Sequence, residues 1–264
     1  MKPKPYVGIT GPINEAETTF ICDEFHRAGY TTESPHIPML GFLVSNKTLN
    51  GQNTSNRRYP KFQILSSMLE KSEDVLTMVH YNSRETRTLD EQISRLFRQD
   101  EIYDRELCQA LQLNIPWPEP GQIKNIKEEF PDMKIVFQVS KGIIREKTPR
   151  EIADGMNAYG QCISYYLIDP SGGEGKMFDI ESSNAIYSEI KNSCPHLTPG
   201  FAGGLSGNNA IPVINELKEK TGTYGFSIDA EGGLRDKITS EYGDDILNRI
   251  KVRFYLSAAS YVLK

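Results

Sequence analysis

Eight short runs rich in β-branched and aromatic residues, separated by segments with helical patterning, set the limits on what this chain can fold into. They fall near 5–9, 39–45, 75–81, 109–114, 134–139, 164–169, 199–202 and 224–229. Strict alternation of strand and helix calls for a parallel sheet, either open and doubly wound or closed into a barrel. Eight units favour closure, and 264 residues is close to the roughly 250 of a typical (β/α)8 barrel. The expected fold is therefore α/β, one (β/α)8 barrel domain spanning 1–264. The nucleotide-binding alternative loses ground at the first turn, where GITGP lacks the GxGxxG spacing and Pro12 follows at once.

The helical segments are read from period and punctuation. Between Glu15 and Gly29, the residues Ala16, Phe20, Phe25 and Ala28 share a stripe, and Gly29 is placed to end the helix. Pro149 opens a second such segment that runs to Gly160. Further helices are expected at about 181–192, 208–220 and 243–262. Two connections stand out. Residues 46–60, NKTLNGQNTSNRRYP, form a polar loop after the second strand, of a length that is usually functional or disordered. The prolines of IPWPEPGQ (115–122) favour an extended ledge after the fourth strand.

Charge narrows the partner classes. A formal net charge of -5 with both signs interspersed offers no basic field for nucleic acid or an anionic membrane. No run is long and apolar enough to span a bilayer, and MKPKPYVGITGP lacks a signal-peptide core, so a soluble cytoplasmic protein is expected. Cys22, Cys108, Cys162 and Cys194 are scattered and read as free thiols. His26, His36, His80 and His196 form no metal-binding pattern, and neither a metal nor a cofactor is expected.

Glycine points to the site. DPSGGEGKMFD (169–179), AGGLSGNN (202–209) and DAEGGLRD (229–236) follow the sixth, seventh and eighth strands, on the face where barrel active sites lie. Glycine lets backbone N–H groups approach an anion, and the loops after strands seven and eight are the usual barrel phosphate site. Gly173, Gly203, Gly204, Gly232 and Gly233 are therefore candidate contacts to a phosphorylated small molecule. The alternative is that they serve turns alone. His80, Gln112, Asn114 and Gln138 are polar residues near strand ends in an otherwise apolar interior, so each needs a partner; for His80 the competing reading is a satisfied interior histidine. Trp117, Phe178 and Phe201 suit either a stacking wall or the core.

Taken together, LIDPSGGEGKMFD, GFAGGLSGNNAIPVI and FSIDAEGGL resemble the phosphoribosylanthranilate isomerase family, the barrel enzyme of tryptophan biosynthesis. The likeness is strongest over 164–236. It continues more faintly in VGIT (7–10), GFLVS (41–45), Arg58-Tyr59 and ALQLN (110–114), where the family has His in place of Asn114. The resemblance implies an Amadori rearrangement, in which a phosphoribosyl-amine opens its ring and becomes a 1-deoxyketose phosphate. It implies that Asp169 is the general acid, with a loop cap as the alternative. It makes Arg58 the receiver of the anthranilate carboxylate, with a solvated loop arginine as the alternative. The family's catalytic Cys falls on Val7, which accepts no proton. Asp229, beside strand one on closure, is the expected substitute base, and Val7→Cys is expected to raise activity. Two further readings are a non-catalytic phosphometabolite-binding protein and, ranked last, a Schiff-base lyase or aldolase, for which Lys134 and Lys141 are poorly placed.

Overall fold

The computed structural model describes residues 2–171 and 180–264. Eight strands, β1 Tyr6–Thr10, β2 Ile37–Ser45, β3 Leu76–Asn82, β4 Ala110–Leu113, β5 Lys134–Ser140, β6 Tyr165–Asp169, β7 Thr198–Ala202 and β8 Ser227–Ala230, pair in sequence order as a closed parallel barrel. Closure is made by β1 against β8, with Val7 opposite Ile228 and Gly8 opposite Asp229. The described helices are α1 Glu15–Arg27, α2 Asn46–Leu49, α3 Leu65–Glu70, α4 Leu89–Arg98, α5 Pro120–Glu129, α6 Lys141–Glu146, α7 Pro149–Asn157, α8 Ile180–Ser193, α9 Ala210–Thr221 and α10 Arg249–Leu263. None of them is long and apolar enough to cross a membrane.

Local chemistry accounts for the helix boundaries. Asn14 caps α1 by accepting from the Glu17 N–H, and Thr148 with Glu151 forms a capping box that starts α7 at Pro149. Pro120 also sits at the start of α5, which has no side-chain cap, so the ledge expected over 115–122 is cut short by a helix. The last helix starts at Arg249, not Gly243, because the Asn248 side chain accepts from the N–H groups of Ile250 and Lys251. The preceding residues instead form an antiparallel hairpin of β9 Arg235–Lys237 and β10 Asp245–Leu247.

Strand pleating divides the barrel residues into two populations. Val7, Ile9, Leu40, Phe42, Val79, Tyr81, Leu111 and Ile228 join the large cluster shared with the helices. Tyr6, Met39, Met78, Ala110, Val136, Tyr165 and Leu167 form a separate cluster inside the barrel. Trp117 lies outside, in ring contact with Phe137 at 5.1 Å. Phe201 is likewise outside, against Tyr187 and Phe226. Both belong to the core between sheet and helices, which corrects the stacking-wall alternative. Phe178 lies outside the described residues.

Candidate active site

Above the apolar plug, the inward positions at the C-terminal strand ends turn polar, and they line a cavity of about 260 Å³. The pleat supplies them in pairs two residues apart: His80 and Asn82 from β3, Gln112 and Asn114 from β4, Gln138 and Ser140 from β5. Asp169 and Ser171 follow from β6, then Asp229 and Glu231 from β8. Gly203, Gly204 and Gly232 complete one wall, and Asn56, Tyr59 and Tyr242 another. Of the residues expected from sequence, His80, Gln112, Asn114, Gln138, Asp169, Asp229, Gly203, Gly204 and Gly232 thus share one cavity. Gly173 lies outside the described residues. Asn56, Tyr59, Asn82, Ser140, Ser171, Glu231 and Tyr242 were not expected; period-two extension from the named strand residues finds Asn82, Ser140, Ser171 and Glu231.

The two aspartates sit in different settings. Asp169 accepts from Gln138 Nε2 at 2.9 Å, from the Ser171 N–H at 3.0 Å and from Ser171 Oγ at 2.9 Å, which fixes its orientation. Asp229 is 6% exposed and accepts from Thr10 Oγ1 at 3.0 Å. Burial, then the nearby Glu231, pushes its carboxyl well above the usual carboxylate range. Burial also holds the His80 imidazole down to about 3, so the ring is neutral at physiological pH. Its Nδ1 lies 3.2 Å from Gln112 Nε2, which also donates to Asn114 Oδ1 at 2.8 Å.

Three sequence expectations need correction. Val7 faces the helices, not the barrel interior. The inward position is Gly8, where a Cβ would lie 2.8 Å from Asp229 Oδ1. Asp229 therefore occupies the room that an inward side chain of β1 would need, and a cysteine at Val7 would be buried behind the sheet. Gly233 is not in the cavity wall. A Cβ there would meet the Leu205 carbonyl oxygen at 2.1 Å, so this glycine lets the β8 loop pack on the β7 loop.

Arg58 is the third. It is 1% exposed and forks onto Asp245, with Nε to Oδ2 at 3.0 Å and Nη2 to Oδ2 at 2.6 Å, while Nη1 donates to Glu231 at 2.7 Å. Its guanidinium also lies 4.7 Å from the centroid of the Tyr242 ring. A fork committed to two internal carboxylates is not presented to a ligand carboxylate. Arg235 pairs with the same Asp245 at 3.4 Å and donates to the Gly11 carbonyl at the end of β1. Two guanidiniums and two carboxylates thus balance one another. They bind the β2 loop to the hairpin, helped by Arg57 on Asp244 at 2.8 Å and by the Arg57 N–H on the Gly243 carbonyl at 3.0 Å.

The β7 turn carries its chain through left-handed geometry at Gly203 (φ 125°) and Gly204 (φ 64°), which glycine accommodates without strain. Asn209 holds the turn by donating to the Gly204 carbonyl and accepting from the Ser206 N–H. Among the described residues, no protein acceptor is paired with the N–H of Gly203, Gly204 or Gly232.

The sequence matches no family model and no curated protein. Solved structures do match in shape. Tryptophan synthase subunit alpha from Legionella pneumophila aligns with a TM-score of 0.59 at 13% identity, covering 98% of this chain and 91% of that one. Tryptophan synthase from M. tuberculosis aligns at 0.55 and 10%, covering 98% and 93%. An active domain of a thermostable chitinase from Pyrococcus furiosus aligns at 0.59 and 8%, covering 99% and 96%. At such identities the shared property is the fold, and this chain is an eight-stranded parallel barrel like theirs.

Proposed function

We propose that the barrel is an acid–base isomerase acting on a phosphorylated sugar, of the phosphoribosylanthranilate isomerase type, with Asp229 in place of the family's thiol base. The observation that carries this reading is the position of Asp229 Oδ1 beside Gly8 of β1, in the cavity that the β6 carboxylate Asp169 also lines. Asp169 would protonate the ring oxygen and open the ring. Asp229 would remove the C2 proton in its ionised form; burial raises its carboxyl, so the rate should increase as pH rises through its titration. The N–H groups of Gly203, Gly204 and Gly232 would receive the phosphate, as donors that cost no side-chain ordering. The resemblance over 164–236 and the tryptophan-pathway enzymes among the structural neighbours support the substrate class.

Turnover of phosphoribosylanthranilate by the purified protein, followed by chromatography of substrate and product, tests the proposal. Asp169→Asn and Asp229→Asn should each lower the rate by about 100-fold or more; full activity in both would overturn it. A second reading, a barrel that holds the phosphosugar without converting it, is favoured by one observation: among the described residues no cysteine lines the cavity. Calorimetric binding of ribose 5-phosphate without any turnover would select it.

A further inference from the structure

Among the described residues, Glu231 is the one cavity-lining carboxylate that the proposed chemistry leaves without a task. It follows Asp229 by two residues, so the pleat directs it to the same side, and its side chain is 19% exposed. One oxygen, Oε1, accepts from Arg58 Nη1 at 2.7 Å. The other accepts no hydrogen bond among the described residues, while the residue borders the cavity beside Gly232 and Tyr242. Arg58 is itself held by Asp245 from behind, so Glu231 cannot swing away without breaking a buried ion pair. The result is a carboxylate fixed at one oxygen and open at the other.

We infer that Glu231 is a specificity-determining residue that accepts hydrogen bonds from adjacent hydroxyl groups of the sugar, and that Arg58 is its positioning residue. This rests on the phosphosugar reading above and deepens it. Two arguments select hydroxyl donors over an ammonium group. Arg58 already balances the charge of Glu231, so no net charge remains to attract a cation, whereas the lone pairs of the open oxygen remain to accept. Elsewhere the cavity lining includes Asn56, Tyr59, Asn82, Asn114 and Gln138, uncharged donors and acceptors that complement a polyol.

The test compares D-ribose 5-phosphate, 2-deoxy-D-ribose 5-phosphate and inorganic phosphate as calorimetric probes of the full chain. A hydroxyl donating to a fixed carboxylate is worth about tenfold or more in affinity. The parent should therefore prefer ribose 5-phosphate over the deoxy sugar by about that factor. In Glu231→Gln the gap should close to within about twofold, with thermal unfolding confirming that the variant is folded. Glu231→Ser serves in its place if it is not. Equal affinity of the parent for both sugars, with inorganic phosphate still bound, overturns the role of Glu231 and leaves the proposed function standing. Failure of all three probes to bind removes the phosphosugar reading and this inference with it.

Discussion

Replacing His80 by glutamine and following stability between pH 7 and pH 4 isolates the cost of charging one buried imidazole. The ring is 2% exposed, and burial holds its pKa to about 3 in the folded chain, against about 6.5 once unfolded. At pH 4 the unfolded imidazole is almost fully protonated, while roughly one folded ring in ten carries the proton. Between these two pKa values the unfolded state binds more protons, so stability rises with pH and is lost on acidification. Each pH step below 6.5 costs about 1.4 kcal/mol, which sums to about 3 kcal/mol at pH 4. Asp229 is raised and works with the opposite sign, but it is present in both proteins and cancels in the comparison. Urea unfolding at the two pH values reads the difference. The parent should lose about 3 kcal/mol more than His80→Gln on acidification, and equal losses would refute the argument that burial keeps this ring neutral.

Gly233→Ala should destabilise by about 1–3 kcal/mol, because the new methyl meets the Leu205 carbonyl; an unchanged thermal midpoint would show that the two loops do not pack as described. Asp245→Ala leaves Arg58 and Arg235 without their shared carboxylate and should cost about 3–5 kcal/mol. Faster amide hydrogen exchange over 56–59 should accompany it, and unaltered exchange there would argue against the ion pairs as the fastening of the β2 loop. Val7→Cys should bring no gain in isomerase rate and a thiol inert to disulfide reagents in the native protein, since that position faces the helices. A reactive thiol or a clear rise in rate would reverse the assignment of the β1 face.

The strands were legible because their apolar runs are separated by turn formers, and a parallel barrel needs little more than that pattern. The polar strand ends were legible for a related reason: His80, Gln138 and Asp169 interrupt sequences that otherwise read as core. β1 was misread because its inward residue at the level of Asp229 is Gly8, which has no side chain to mark the interior, while the outward Val7 looks equally like core. The hairpin escaped notice because β9 and β10 have three residues each, too few to show a period. Arg58 was misread because its carboxylate partner is 187 positions away, and nothing local to RRYP distinguishes a buried fork from a solvated one.

Barrel engineers commonly treat each βα-loop as an exchangeable cassette, and the ion pairs around Arg58 define where that independence ends in this chain. Residues 56–59 arrive from the second strand, Glu231 from the eighth, and Tyr242 to Asp245 from the hairpin beyond it, yet they make one wall. A transplant of 46–60 alone into another barrel would carry a guanidinium without its acceptors, and replacing the loop here would take the Arg58 partner from Glu231 and leave Asp245 to Arg235. The smallest transferable module is therefore discontinuous, the β2 loop together with 231–247, and the two pieces are expected to change together whenever the pocket is remodelled.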